Sequence, residues 1–362
     1  MDFTPTEEQA AARDLAARIF GDLATPERLT AVGTDSDSEL WKALCTAGLV
    51  GTVEELGLLG LVLLLEEQGR TTAQVPFAST CVYGLLAVVA HGSPGQRERL
   101  LPGIGDGSVV VCGAFPAQGG VRASAQGELS GTVPVVPWLR DATHVLVADD
   151  QRGLWLTPVT DAVRVEAVEL TAPWSAGRLT LDGASAERLG AVGVHLGVQG
   201  ERVPSRPPTA SPYTDVLATA RTAFAGLQAG ICAGSLARAV AHVNDREQFG
   251  RPLATRQGVQ LRAADAHMDI EAIRVTAYEA AWRRDAGLPY ATHALTAAWW
   301  ASEAGQRVVH TGQHLHGGAG ADLEHPVHRH FLWGRQLDAY LGGGAEVLQE
   351  LGELIVDEEV QP

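Results

Sequence analysis

The sequence predicts an α+β chain whose helical first and last thirds flank a small β-region, and three observations lead there. Apolar residues recur at helical spacing up to about residue 104. From Ser108 to about Leu189 the texture changes to short Val-, Thr- and Gly-rich runs separated by turn residues. After a Pro-rich polar stretch, Gly200–Pro212, an Ala-rich helical periodicity resumes and lasts to the end. Strands and helices do not alternate, which excludes a doubly wound α/β protein. The expected units are an N-terminal helical domain over 1–104, a β-sandwich or barrel over 105–199, a linker over 200–212 and a C-terminal helical domain over 213–362.

Each element has a local signal. Thr4-Pro5-Thr6-Glu7 has the form of a capping box with Pro at the first helical position, and Ala12, Leu15 and Ile19 then share a face. Ser38-Glu39-Leu40-Trp41 opens a second amphipathic stretch, and Leu56–Glu67 is a very apolar third one with Gly69 as its expected C-cap. Val109–Val111, Thr143–Ala148 and Arg178–Leu181 are expected strands, bounded by Gly119-Gly120, Asp149-Asp150 and Asp182-Gly183. Asp215–Val243, Gln257–Arg284 and His293–His310 are expected helices, and Gly342-Gly343-Gly344 interrupts the last ones.

Composition narrows the function. Of 362 residues, 46% are hydrophobic and 19% charged, a globular mix. The 27 Lys and Arg against 43 Asp and Glu leave −16, which repels phosphate backbones and anionic lipid and argues against nucleic-acid or membrane partners. Cys45, Cys81, Cys112 and Cys232 are far apart with no CxxC pair, so reduced thiols are expected rather than zinc or disulfides. The N-terminus is acidic and has no apolar core of a signal peptide, and the apolar run Leu58–Leu65 is too short to span a bilayer. A cytoplasmic location is expected.

Two segments carry the chemistry. One is Arg246-Glu247-Gln248-Phe249-Gly250-Arg251-Pro252-Leu253, with Gln257 and Gln260 downstream. The other is Gln313-His314-Leu315-His316-Gly317-Gly318-Ala319-Gly320, followed by His325-Pro326-Val327-His328-Arg329-His330-Phe331. Arginine presents forked donors to phosphate oxygens, and paired glycines let a backbone approach a diphosphate closely. The pattern RxQFG followed by HGGxG, within an α-β-α order, resembles the acyl-CoA dehydrogenase family over nearly the whole chain. The resemblance implies a C-terminal four-helix bundle and FAD as cofactor. Arg246, Gln248 and Phe249 would lie on the pyrophosphate and adjoining nucleotide of a neighbouring subunit's FAD. Gln313, His314, Gly317 and Gly318 would lie along its adenosine end, with Gln313 and His314 both open as the equivalent of the family's Gln. The six histidines from His310 to His330 have no carboxylate or Cys at ligand spacing, and no metal is expected.

The family's catalytic carboxylate is missing. Taking the α-proton needs a base. The family's two positions for that Glu fall on Leu341 and Ala220 (beside Arg221), and neither side chain accepts a proton. Asp215 and Glu346 are the nearby carboxylates, expected to be ordinary surface acids. The family's Thr-Glu-Pro-Gly and Trp-x-Thr/Ser segments, which cradle the flavin ring, are represented by Ala114-Phe115-Pro116 and by the hydroxyl-free Val133–Arg140 with Trp138. The resemblance to Glu-lacking subunits of actinobacterial heteromeric enzymes, several acting on steroid side-chain CoA thioesters, implies a subunit of a hetero-oligomer, a heterotetramer in that group. Such a subunit would supply the nucleotide half of FAD in trans, in an enzyme that places an α,β double bond in an acyl-CoA. The electron acceptor is not readable. A homo-oligomer, a stand-alone enzyme with non-redox thioester chemistry and a non-catalytic scaffold are the alternatives.

Overall fold

The computed structural model describes residues 2–117, 119–190 and 211–360. Most of the 200–212 linker therefore lies outside the described residues, and Ser211 and Pro212 prove to be the cap and first residue of a helix.

Helices α1 (Glu7–Leu23), α2 (Pro26–Val32), α3 (Ser38–Thr46), α4 (Val53–Thr71), α5 (Phe77–Ser79), a π-helical stretch (Thr80–Leu86), α6 (Ala87–His91) and α7 (Pro94–Asp106) come first. The capping box of α1 is Thr6 with Gln9, two residues later than Thr4 and Glu7, because Thr6 holds the extended conformation in which its hydroxyl reaches the Gln9 N–H. Ser93 and Gln96 form a second box on α7, with Pro94 at its first position. Gly69 is not a cap: α4 continues to Thr71 and ends on Thr72 in the left-handed region. A break at Gly57 (φ 72°) splits α4, and the Asp285 carboxylate caps the second piece by accepting from the Leu58 and Leu59 N–H groups at 2.9 Å each.

The middle region is a two-layer β-structure of eight strands, β1 (Val111–Ala114), β2 (Val121–Ala123), β3 (Glu128–Val136), β4 (His144–Ala148), β5 (Leu154–Pro158), β6 (Val163–Ala167), β7 (Gly177–Ser185) and β8 (Glu187–Leu189). One sheet runs β1-β4-β5-β8 and the other β2-β3-β7-β6. Only the β1–β4 pair among these is parallel, with Val111 opposite His144. Leu129, Val133, Val136, Val145, Val147, Leu179 and Leu181 fill the space between the layers, as alternating strand residues should.

The last region is helical: α8 (Pro212–Asp245), a hairpin of β9 (Glu247–Gln248) and β10 (Arg251–Pro252), α9 (Gln257–Asp285), α10 (Ala291–Leu315), α11 (Pro326–Leu337) and α12 (Gly344–Val360). Helix α8 is long and apolar enough by length and composition to cross a membrane, yet most of it is buried within the protein as the central helix of the core. Its glycines set the packing against α4. A Cβ on Gly226, Gly230 or Gly234 would lie 2.8 Å from Val62, 2.0 Å from the Glu66 carbonyl and 2.3 Å from the Arg70 carbonyl. One on Gly69 would lie 2.3 Å from the Leu227 carbonyl. The two helices thus meet backbone to backbone, and the large core of the molecule grows around that contact.

Candidate functional site: an open nucleotide side and a closed reactive side

Helix α8 ends at Arg246, whose N–H still donates to the His242 carbonyl at 2.8 Å. The chain then turns back through the β9–β10 hairpin, with Gln248 opposite Arg251. Both residues of the turn, Phe249 and Gly250, have positive φ (56° and 75°). Such a turn suits Gly, but a bulky residue there is strained. Phe249 is nonetheless 92% exposed, its ring covered on one side only by the Arg256 guanidinium 5.3 Å from its centroid. Arg256 also donates to the Gln248 carbonyl at 3.1 Å, bracing the hairpin from behind. Among the described residues, packing does not account for the strained conformation of this tip.

The second motif closes α10. The Gln313 amide donates to the Gly320 carbonyl at 3.2 Å, which turns Gln313 into its own loop, whereas His314 is exposed. Gly317 has φ 63°, and a Cβ on Gly317 or Gly318 would meet no atom of the chain within 4 Å. Packing within the chain does not demand these glycines. Their free faces suit the close approach of a flat or phosphorylated group.

The two positions at which the family resemblance would place a base are closed. Ala220 is fully buried, and Leu341 is 6% exposed. The Leu341 carbonyl accepts from Arg221 Nε at 3.3 Å, and the Arg221 guanidinium is paired with both oxygens of Glu350 at 2.8 and 2.7 Å. Asp215 is not a surface acid. It is 2% exposed, because the α8 face it occupies packs inward, and it accepts from the Tyr290 hydroxyl at 2.6 Å and pairs with His91 Nε2 at 2.7 Å. Glu346 is exposed and caps the start of α12 by accepting from the Gly343 N–H at 3.2 Å. The cavity beside Leu341, lined by Arg221, Phe224, Gln228, Ala301 and Tyr340, measures about 20 Å³. That is room for a water and no more.

Aromatic rings fill the rest of this side. Trp138 stacks on Trp174 at 4.4 Å and lies 6.1 Å from Phe224, and Phe224 meets Tyr340 edge-on at 5.0 Å. Phe115 is sandwiched between Tyr83 at 5.3 Å and Tyr213 at 5.5 Å. Tyr83 and Tyr340 share a hydrogen bond of 3.0 Å between hydroxyls, and burial raises the pKa of both phenols. The indole N–H groups of Trp138, Trp174 and Trp333 are buried without an acceptor.

Comparison with known proteins identifies the family. The acyl-CoA dehydrogenase N-terminal domain matches residues 6–108, and its C-terminal domain matches residues 213–352. The chain belongs to the acyl-CoA dehydrogenase family. It is similar to acyl-CoA dehydrogenase FadE27 of Mycobacterium tuberculosis, with 31% identity over 99% of both chains. Among solved structures, the Tcur3481-Tcur3483 steroid ACAD G363A variant matches with TM-score 0.88 and 39% identity over 98% of this chain and 99% of that one. The ChsE4-ChsE5 complex from Mycobacterium tuberculosis matches with TM-score 0.87 and 29% identity, over 98% and 99%.

FAD is the cofactor of the family, and this acyl-CoA dehydrogenase chain is divided in its fit to it. At the hairpin and the glycine turn, Arg246, Gln248, Phe249, His314 and the two open glycines present donors, a ring and a free backbone face, which would suit the nucleotide end. Around Leu341 the cavity is too small for a flavin ring, and Trp138 and Trp174 stack on each other at 4.4 Å, so no redox step is assigned to that side. Residues that sequence reasoning passed over are Trp174, Phe224 and Tyr213. They come from three distant segments, and no local pattern marks them. Among the described residues no group of three or more His, Cys, Asp or Glu has metal-holding geometry.

Proposed function

We propose that this chain is the non-reactive subunit of an FAD-dependent acyl-CoA dehydrogenase that oxidises a CH–CH bond of a CoA thioester. It lends the hairpin Arg246–Arg251 and the His314–Gly318 turn to the nucleotide end of an FAD whose ring and catalytic base belong to a homologous partner. The observation that carries this reading is the strained, fully presented Phe249 tip on one side against the ring-filled core on the other. Helix α9 adds a partner face: Leu261, Met268 and Val275, spaced by seven, are all exposed. The similar proteins named as a ChsE4-ChsE5 complex and as a Tcur3481-Tcur3483 steroid ACAD each pair two differently named chains. They favour a hetero-oligomer and a steroid-bearing thioester over a homo-oligomer. A stand-alone thioester enzyme would need a pocket, and the cavity beside Leu341 is water-sized.

The test is the visible absorption spectrum of the chain purified alone and after co-expression with its Glu-bearing homologue. The proposal expects a colourless chain and a yellow complex with one FAD per pair. A chain that carries stoichiometric flavin by itself would sink it.

A further inference from the structure

Next to the Gly317-Gly318 turn lies a basic cluster that the reading above does not use. His242 on α8 stacks on His316 at the end of α10, with ring centroids 4.7 Å apart, and His316 meets His325, the N-cap of α11, at 4.8 Å. Arg238 stands one helical turn before His242 on the same face of α8. It is half-buried and makes no hydrogen bond or ion pair among the described residues, although it is close enough to influence His316, His325 and His330. Among the described residues Asp322 acts on His325, whereas burial alone shifts Arg238. A half-buried guanidinium beside imidazoles, with no ion-pair partner of its own among the described residues, is costly to keep unless an anion supplies one.

The hydrogen bonds define the available donors. His316 Nδ1 donates to the Gly312 carbonyl at 2.7 Å, leaving Nε2 as an unprotonated nitrogen at neutral pH. His325 Nδ1 accepts from the Val327 N–H at 3.2 Å, so its proton sits on Nε2. We infer that Arg238, His242, His316 and His325 form a phosphate-binding site, separate from Arg246, that takes a phosphate group of a nucleotide. The nucleotide part of this assignment rests on the function proposed above. The phosphate chemistry rests on the cluster. Arg238 would supply a fork of donors, His325 its Nε2–H, and His316 a further donor once protonated.

That last point makes binding proton-linked. Burial holds His316 and His325 below their ordinary pKa, and for His316 the neighbouring His242, His325 and Arg238 lower it further. A bound dianion reverses the sign of the local field and raises both. The bound state therefore holds more protons than the free state, and binding near neutral pH takes protons up.

The experiment is isothermal titration calorimetry of the full chain at pH 7 with pyrophosphate, ADP and adenosine 3′,5′-bisphosphate, each in two buffers of different ionisation enthalpy. We expect binding with net proton uptake, weakened at least about tenfold by Arg238→Gln. We also expect His316→Phe, which keeps an aromatic ring in place and so guards against misfolding, to remove most of the proton uptake. ADP binding tighter than the bisphosphate would assign the diphosphate of an FAD-like nucleotide, and the reverse order the phosphate pattern of CoA. No binding, binding without proton uptake, or binding unchanged in Arg238→Gln would overturn the site. Phosphate binding lost in Arg246→Ala and kept in Arg238→Gln would also overturn it, while leaving the proposed function standing. Binding lost in Arg238→Gln, beside a complex that stays colourless, would do the opposite.

Discussion

The hairpin after α8 and the aromatic core around Trp138, which the proposed function makes the two ends of one family site, differ in opposite ways. At the hairpin, Phe249 is held at positive φ with its ring in solvent, and Arg246 has no side-chain partner among the described residues. In the core, Trp138 also has positive φ (58°) yet is fully buried, stacked on Trp174 with Phe224 behind it. Two residues strained in the same way are stabilised by different means. Packing within the chain holds Trp138, whereas Phe249 has only the Arg256 guanidinium on one face among the described residues. Strain compensated by local packing marks structure, whereas strain left exposed marks an interaction still to be made.

The largest expected effect is in the closed half. Trp138→Ala should lower unfolding stability by about 3–5 kcal/mol in a denaturant titration, since the cavity it leaves is lined by rigid rings. Flavin retention by the complex should not change. A loss of flavin with little loss of stability would break the comparison, because it would make Trp138 a cofactor residue. Next comes Arg246→Ala, which should leave stability nearly untouched while weakening FAD retention by the complex about 10–100-fold, read by flavin fluorescence after dialysis. An equal loss of stability and no loss of flavin would make the hairpin structural.

Leu341→Glu restores the family's acid in name only. Beside a 20 Å³ cavity it should yield no turnover of a CoA thioester by the chain alone, and it should cost roughly 1–3 kcal/mol for burying a carboxyl group. Measurable turnover would show that the reactive side opens. The smallest effect concerns His316 and His325. Their folded pKa values lie below the ordinary 6.5, so the folded chain binds fewer protons than the unfolded one once the pH drops toward and below that value. Stability present above pH 6.5 is therefore lost as the pH falls. Melting temperatures at pH 7.5 and 5.5 should differ more for the natural chain than for His316→Phe.

The order of helices, strands and helices was legible because each third of the chain has its own periodicity. The two motif segments that carry the family resemblance were legible because each is local and contiguous. What failed to show was pairing at a distance. Asp215 reads as a surface acid until His91, 124 residues earlier, is brought against it. Leu341 reads as a simple loss until Arg221 is seen to hold its carbonyl from α8. Glycines misled for a related reason. Gly69 has the sequence of a helix cap, but its hydrogen side is consumed by the Leu227 carbonyl, and only the packed pair of helices reveals that. The slip in the first capping box has a smaller cause: Thr4 with Glu7 and Thr6 with Gln9 both fit the pattern, and backbone conformation chooses between them.

Helix α8 has a mechanical side as well. Its 34 residues make a rod about 50 Å long. The rod is seated where Gly226, Gly230 and Gly234 press on α4, and Arg246 follows its far end, about 18 Å past the last of these contacts. Between the two, Ala239 and Val243 are buried against Leu315, so the hairpin is aimed by two seats, neither of which it forms itself. A side chain added at Gly230 would wedge the first seat, and the hairpin is expected to feel a substitution remote from it.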